Sequence, residues 1–243
     1  EEYQSRFAER EARYQKNCNY QLTLPEGEEY RHFEKLIFTD NEVNLGVSLT
    51  LLPENFKQWK SFITQRKNWG IPFFEVRPDL LSEEQIAQAF KDIDTDNILL
   101  SIRSKNDYKY VEQYQPAHWD WASELGEAPS TPWSVSLHES KGAITDSIQF
   151  LEDNAQGAKQ LKLAVEVKTF LDLVVGHSWW AEKQSKRSFL PTSTEGRWSW
   201  YRNFFGVDMP ISFFREGHST SLDQPYLHQV FSRSDSEGET FAA

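Results

Sequence analysis

The stretch FFEVRPDLLSEEQIAQAFKDIDTDNILLSIR, residues 73–103, decides the fold that the sequence predicts. It opens with a short apolar run, continues after Ser82 with apolar residues at helical spacing, and closes with a second apolar run. Ser82 followed three residues later by Gln85 is the pattern of a capping box, which marks the start of a helix. Two short strands joined by such a helix are typical of a parallel strand–helix–strand unit.

The same alternation continues on both sides of this stretch. Strands are predicted at 44–50, 73–77, 97–103, 119–125, 133–139, 159–167, 187–192 and 210–214. Helical segments are predicted at 53–70, 82–93, 107–115, 145–155 with Thr145 as its cap, 168–186, 196–206 and 223–231. Eight strand–helix units in about 200 residues predict an α/β fold, a closed (β/α)8 TIM barrel. An open doubly wound sheet is the alternative, although the sequence lacks the glycine fingerprint that cradles phosphates in that fold.

The predicted barrel occupies most of the chain, from residue 44 to residue 232. Residues 1–43 are predicted to form an N-terminal extension, made of a charged helix or arm and a short strand at HFEKLIF. Residues 233–243 are predicted to be a polar, disordered tail, because they contain few apolar side chains.

Composition excludes several classes of protein. The 243 residues contain 26 Lys and Arg against 37 Asp and Glu, a net charge of −11, which argues against binding to nucleic acid or to an anionic membrane surface. The apolar runs are far shorter than a membrane span, and no basic segment followed by an apolar stretch suggests a signal peptide. The single cysteine, Cys18, allows neither an internal disulfide nor a zinc site built from cysteines. The sequence therefore predicts a soluble, cytoplasmic protein.

Ionisable residues stand at the ends of several predicted strands, where a barrel places its active site. They are Glu75 and Arg77 after the second strand, Arg103 and Asp107 after the third, Glu124 on the fourth, His138 on the fifth and Lys162 on the sixth. The histidines show no spacing typical of a metal site, so we expect no metal.

Lys162 is the most informative of these residues, because it is flanked by Leu161 and Leu163 in a buried strand. Burying an ammonium group is costly unless the group is paired or used. Loss of solvent lowers the pKa of a lysine and makes its neutral amine available as a nucleophile. The residues alone leave two interpretations open, a lysine that forms a Schiff base and a structural salt bridge.

The order and spacing of the strand-end motifs resemble those of one known family. The motifs are VSLT (47–50), FEVRPDLL (74–81), ILLSIRS (98–104), VSLHES (135–140), GAKQLKLAV (157–165), and ISFF (211–214) followed by Thr220-x-x-x-Gln224. Over roughly four fifths of its length the chain resembles the type I 3-dehydroquinate dehydratases. Lys162 follows His138 by about 24 residues, the spacing that this resemblance implies between the Schiff-base lysine and the catalytic histidine.

The resemblance implies a hydro-lyase that converts 3-dehydroquinate to 3-dehydroshikimate without a cofactor. Lys162 would form an imine with the ketone, His138 would act as general base and then general acid, and Asp107 would orient the histidine. The substrate-binding residues implied are Glu75, Arg77 and Arg103 around the ring, and Thr220 and Gln224 in a loop that closes over it. For the carboxylate, the nearest arginines after the seventh strand are Arg197 and Arg202, and we expect Arg202 to bind it. In the family's pattern a glutamate followed by two glycines stands where this chain has Asp107, Tyr108 and Lys109.

The expected partner is a small-molecule substrate, and the resemblance is compatible with a homodimer. Two other hypotheses account for the same residues. The first is a non-catalytic binding or regulatory module that senses quinate- or shikimate-like ligands. The second is a class I aldolase, which would use the same lysine but usually needs phosphate-binding glycines after the last strands, and these are absent here.

Overall fold

A computed structural model of the chain describes residues 48–68, 73–215 and 220–226. The predicted N-terminal extension, the predicted polar tail and part of the predicted last helix lie outside the described residues. Within the described part, short strands alternate with helices as the sequence predicted.

Eight strands follow one another along the chain: β1 Ser48–Thr50, β2 Phe73–Val76, β3 Ile98–Ile102, β4 His118–Ala122, β5 Ser134–Leu137, β6 Gln160–Leu163, β7 Arg187–Phe189 and β8 Phe213–Phe214. The α-helices of the described residues are α1 Trp59–Asn68, α2 Glu83–Asp92, α3 Lys109–Tyr114, α4 Ile144–Asp153, α5 Phe170–Glu182 and α6 Ser199–Phe205. None of the helices described here is long and apolar enough to cross a membrane.

All eight strands belong to one parallel sheet. Its order is β7-β6-β5-β4-β3-β2-β1-β8, so each strand from β1 to β7 lies beside its neighbour in sequence and β8 lies beside β1. This order differs from a doubly wound sheet, in which the strand order reverses near the middle. Near β7, the main-chain N–H of Ile211, which precedes β8, donates a hydrogen bond to Ser188 Oγ at 2.9 Å.

The two faces of the sheet differ in chemistry, because successive side chains of a strand point to opposite faces. One face packs its apolar side chains against the helices: Phe74, Val76 and Leu100 share a cluster with Ile86 and Ala89 of α2. The opposite face carries buried polar side chains, namely Thr50, Glu75, Ser101, Asp120, Ser134, Ser136 and Lys162. Parallel sheets usually bury apolar side chains on both faces, so this polar face indicates a functional region.

Local capping signals account for where two of the helices begin. Ser82 caps α2 as predicted: its Oγ accepts a hydrogen bond from the N–H of Gln85 at 3.3 Å, and Gln85 Oε1 accepts one from the N–H of Ser82 at 3.0 Å. The prediction that Thr145 caps α4 is wrong. Asp146 accepts a hydrogen bond from the N–H of Ala143 at 3.1 Å, and the helix therefore begins at Ile144.

Two further predicted helices differ from the structure at their ends. The helix predicted at 53–70 begins as the 3-10 turn Pro53–Gln58 and becomes α-helical at Trp59. The helix predicted from Asp223 does not begin there, because residues 222–223 form a turn and Tyr226 pairs with Arg215 in an isolated parallel bridge.

The contact between α5 and β7 gives a prediction about stability. A Cβ added at Gly176 would lie 2.2 Å from Cζ of the fully buried Phe189. We expect Gly176→Ala to lower the free energy of unfolding by about 1–3 kcal/mol, as overpacking of a core does, in spite of alanine's higher helix propensity. Urea unfolding followed by tryptophan fluorescence measures this difference. Ser178→Ala, at an exposed position of the same helix, is the control and should change the free energy by no more than about 0.5 kcal/mol. Equal midpoints for the two variants would contradict the packing argument.

Candidate functional site

A cavity of about 140 Å³ lies at the carboxyl ends of the strands. Its walls contain eight of the nine site residues that the sequence predicted: Glu75, Arg77, Arg103, His138, Lys162, Arg202, Thr220 and Gln224. Apolar contacts are supplied by Ala164, Leu190 and Phe213. The cavity thus combines an amine, an imidazole and three guanidinium groups in a small volume.

Lys162 lies on the polar face of the sheet with its side chain 1% exposed. Its Nζ donates a hydrogen bond to Asp120 Oδ2 at 2.8 Å and lies 4.9 Å from the centre of the Phe213 ring. Burial lowers the pKa of Lys162, an effect that the charge of Asp120 opposes and that of Arg103 reinforces. The structure therefore places a buried amine beside a carboxylate in the cavity wall.

Asp120 is the polar centre of the sheet and was missed by the sequence analysis. Its Oδ1 accepts a hydrogen bond from Ser134 Oγ at 2.6 Å, and its Oδ2 accepts bonds from Ser136 Oγ at 2.8 Å and from Arg103 Nη1 at 3.1 Å. Burial alone would raise the pKa of Asp120, but Lys162 and Arg103 hold it well below the usual range. A charged residue between Trp119 and Trp121 in a predicted buried strand is the sequence signal that could have revealed it.

Glu75 is held by hydroxyl groups of the two neighbouring strands. Thr50 Oγ1 donates to its Oε2 at 2.6 Å, and Ser101 Oγ donates to its Oε1 at 2.7 Å. Arg103 Nη2 lies 3.9 Å from the same Oε1, so Arg103 stands between the carboxylates of Glu75 and Asp120. These contacts fix the guanidinium of Arg103 at the cavity wall.

Arg77 is positioned by a carboxylate two residues further along the chain. Its Nε and Nη2 donate to the two carboxylate oxygens of Asp79 at 3.1 and 2.5 Å. Burial lowers the pKa of Arg77, but the hydrogen bonds that it donates to Asp79 and the charges of the nearby carboxylates outweigh burial and raise it. Arg77 is thus a fixed cation at the cavity, and its Nε and Nη2 are already hydrogen-bonded to Asp79.

His138 follows β5 and faces a carboxylate from the preceding strand–helix unit. Its Nδ1 lies 3.8 Å from Glu124 Oε1, too far for a hydrogen bond but close enough for an ion pair when the imidazole is protonated. The same oxygen accepts main-chain hydrogen bonds from His138 at 2.5 Å and Glu139 at 2.8 Å. Loss of solvent, reinforced by the charge of Arg103, lowers the pKa of His138 to about 4, although Glu124 opposes the change. At neutral pH the imidazole is therefore unprotonated and able to accept a proton.

Asp107 does not join this group. It lies in the 3-10 turn Lys105–Tyr108, where burial raises its pKa and its charged neighbours are Asp79 and Lys109. The carboxylate beside His138 belongs instead to Glu124, which stands in the turn Ser123–Leu125 directly after β4. Asp107 does not line the cavity, and among the described residues it is Glu124 that lies beside His138, so the role expected for Asp107 stays a prediction without a supporting contact. Sequence spacing could not decide between the two, because both follow a strand at the same edge of the sheet.

Arg202 is a buried cation whose guanidinium group has few hydrogen-bond acceptors around it. Its side chain lies on α6, is 2% exposed and lines the cavity. Its Nη2 reaches the main-chain oxygen of Phe213 at only 3.5 Å, and its Nε has no hydrogen-bond partner among the described residues. Burial lowers the pKa of Arg202 to about 10, although the negative charge of Asp223 opposes this change. An anion in the cavity would supply the acceptor that this guanidinium lacks.

Thr220, Ser221 and Gln224 contribute to the wall of the cavity. Gln224 Nε2 donates to Thr220 Oγ1 at 2.9 Å, and both side chains line the cavity. Between them, the buried Asp223 accepts hydrogen bonds from the main-chain N–H groups of Ser193 and Trp198. The predicted lid residues are therefore attached, through Asp223, to the segment that follows β7.

Among residues 48–68, 73–215 and 220–226, no three His, Cys, Asp or Glu side chains are grouped as a metal site would require. No model of a protein family matches the chain, and no curated protein matches it either. Function is therefore inferred from the chemistry of the cavity.

Proposed function

We propose that the chain is a hydro-lyase of the type I 3-dehydroquinate dehydratase kind, which removes water from 3-dehydroquinate to give 3-dehydroshikimate. One observation carries this proposal: a buried lysine amine, a histidine whose pKa is lowered and three arginines line one small cavity at the carboxyl ends of a parallel sheet. An amine can form a Schiff base, an imidazole can move a proton, and guanidinium groups can bind a carboxylate and hydroxyl groups.

The same proposal includes a complete barrel. β8 pairs with β1, and Ile211 beside β8 is hydrogen-bonded to Ser188 of β7, which supports closure of the sheet between β7 and β8. We also propose a cytoplasmic location, because a single cysteine suits a reducing compartment.

In the proposed mechanism, Lys162 Nζ attacks the ketone carbon and water leaves, forming a protonated imine. His138 then removes a proton from the adjacent carbon, and the electron pair of that C–H bond moves toward the imine nitrogen to give an enamine. The enamine expels the hydroxyl group one carbon further on, and His138 returns its proton to make that leaving group water. Hydrolysis of the conjugated imine releases the product and restores the amine.

The remaining residues have binding and positioning roles in this proposal. Glu124 replaces Asp107 as the carboxylate that orients His138. Glu75, Arg77 and Arg103 would bind hydroxyl groups of the ring, and Thr220 with Gln224 would cover it.

Arg202 is proposed to bind the substrate carboxylate, because it lines the cavity and its buried Nε has no hydrogen-bond partner among the described residues. We expect Arg202→Gln to raise KM by about 10- to 100-fold, since a hydrogen bond to a charged group contributes about 1.5–3 kcal/mol. Steady-state kinetics on 3-dehydroquinate measures the change. Arg197→Gln is the matched control, because Arg197 is exposed and already pairs with Glu195. A larger effect at Arg197 than at Arg202 would assign the carboxylate to the other arginine.

The experiment that tests the function has two parts. The chain is incubated with 3-dehydroquinate and borohydride, and the peptides are analysed by mass spectrometry for an adduct on Lys162. In parallel, the ultraviolet absorbance of the conjugated product is followed over time. An adduct on Lys162 together with turnover is the expected result. An unmodified lysine without turnover would overturn the proposal.

A second candidate is the non-catalytic module that binds quinate- or shikimate-like ligands. The hydrogen bond between Lys162 and Asp120 at 2.8 Å favours it, because a paired ammonium is not a nucleophile. The same borohydride experiment separates the candidates. Binding of shikimate measured by calorimetry, with no adduct and no turnover, would support the module.

A further inference from the structure

Asp120 is surrounded by four donors that come from three other strands or their ends. Ser134 and Ser136 approach from β5, Arg103 from the end of β3 and Lys162 from β6. Asp120 itself is fully buried on β4. Its carboxylate is therefore held in one orientation by the register of the sheet, with one oxygen directed at the amine of Lys162.

The nitrogen of Lys162 is stabilised as a cation from two sides. Asp120 Oδ2 lies 2.8 Å away, and the Phe213 ring centre lies 4.9 Å away, within the range of a cation–π interaction. Other charged groups act on it from a greater distance: Glu75 on β2 favours the charged form, and Arg103 opposes it. His138 also interacts with Asp120 electrostatically.

A buried salt bridge is weak evidence for a purely structural role, because desolvation of two charges offsets much of their attraction. Here Lys162 is also one of the residues that line the cavity. A structural ion pair in the core of a protein has no cavity beside it. The placement of this pair therefore suits a site at which a positive nitrogen is needed during a reaction.

We propose that Asp120 is the counter-ion that keeps the nitrogen of Lys162 positively charged, both as the free ammonium and as the iminium that it forms with a carbonyl compound. The ammonium gives up one proton before its nitrogen attacks the carbonyl, and the hydroxyl group of the resulting carbinolamine takes up one proton when it leaves as water. The nitrogen therefore carries one positive charge in the starting ammonium and in the final iminium. The iminium of a primary amine retains one N–H, which can donate to Asp120 Oδ2 as the ammonium does. The inference rests on the proposed function only for the identity of the carbonyl compound.

The consequence concerns the electron-accepting power of the imine. A protonated imine withdraws electrons from the neighbouring C–H bond far more strongly than a neutral imine. By keeping the nitrogen charged, Asp120 would preserve this property at a lysine side chain that is 1% exposed. Arg103 and the two serines would act on Asp120, by holding its carboxylate ionised and in place.

The test uses formaldehyde and cyanoborohydride, which are small enough for a cavity of about 140 Å³. Cyanoborohydride reduces an iminium and not a neutral imine, so methylation of Lys162 reports the charged form. Methylation of each lysine in the native protein is measured by peptide mass spectrometry from pH 5 to pH 10. Lys159, exposed and just before β6, is the internal control in every sample.

In the unmodified protein we expect the methylation rate of Lys162 to rise with pH as the ammonium loses the proton that blocks its attack on formaldehyde. At still higher pH the rate should fall, because the iminium that cyanoborohydride reduces loses its own proton. In Asp120→Asn the alkaline side of this profile should move to lower pH. We expect the pH at which the rate has fallen by half to decrease by about 1–3 units, because removal of an adjacent opposite charge lowers the pKa of a cationic nitrogen by that amount. The Lys159 profile should not move. A shift of less than about half a unit in a folded Asp120→Asn protein would overturn the proposal.

Arg103→Gln provides a second variant with the opposite sign, which also covers the case of an unfolded Asp120→Asn protein. Removing this cation should move the falling part of the Lys162 profile to higher pH, because Arg103 disfavours a charge on Lys162. A shift to lower pH, or no methylation of Lys162 at any pH in the unmodified protein, would contradict the proposal. Because the probe is formaldehyde, a failure to turn over 3-dehydroquinate removes the proposed function and leaves this result intact.

Discussion

Replacing Lys162 by methionine or alanine is expected to abolish dehydration of 3-dehydroquinate. In the proposed mechanism the amine of Lys162 forms the covalent bond with the substrate, and no other lysine lines the cavity among the described residues. We expect kcat/KM to fall by at least about 10⁴-fold, as it does when a covalent nucleophile is removed from other enzymes. The borohydride-trapped adduct should disappear at the same time, as measured by the mass of the intact protein.

Methionine is the more informative replacement, because it retains most of the volume of the buried side chain. Asp120 would still be paired with Arg103 and hydrogen-bonded to Ser134 and Ser136 in that variant. Lys159→Met, at an exposed position just before the same strand, is the matched control and should keep full activity. Residual dehydration by Lys162→Met above a thousandth of the original rate would exclude the Schiff-base mechanism.

Replacing His138 by alanine is expected to separate imine formation from elimination. Without the imidazole no group accepts the proton, and we expect kcat to fall by about 10²- to 10⁴-fold, the usual contribution of general acid–base catalysis. The amine of Lys162 remains, so the adduct trapped by borohydride should still form. A variant that loses the adduct as well as turnover would place His138 earlier in the reaction than we propose.

The pH dependence of the unmodified protein gives a second measurement on His138. Loss of solvent and the charge of Arg103 lower the pKa of His138 to about 4, so the neutral base persists well below pH 6. The acid side of the kcat/KM profile should therefore decline as the pH falls through about 4, rather than near the ordinary value for histidine. His118→Gln is the control, because His118 lies at the opposite end of β4, and it should retain this profile.

The sequence predicted the strands and most helices because their signals are local. Alternating apolar runs, together with the capping pair of Ser82 and Gln85, depend only on neighbouring residues. The start of α4 was missed because Thr145 and Asp146 both suit a helix start, and the hydrogen bond from Ala143 decides between them.

The candidate site was predicted less completely, since its contacts join strands far apart in the chain. Eight predicted residues line the cavity because the carboxyl ends of parallel strands meet at one edge. Asp120 was missed because alternation within one strand does not reveal which side chains the neighbouring strands bring to it. Glu124 and Asp107 were confused for a similar reason, since loop geometry decides which carboxylate reaches His138.

The polar face of the sheet has a consequence for how such a protein can evolve. Lys162, Asp120, Glu75 and Ser136 are all carried by strands, so their spacing depends on strand register and not on the loops. Substitutions in the loops can then alter which ligand binds without displacing the amine of Lys162 and the carboxylate of Asp120. They can also remove a recognisable similarity to relatives. The residues that determine the chemistry, in the strands, and those that determine the specificity, in the connecting segments, can therefore change independently of one another.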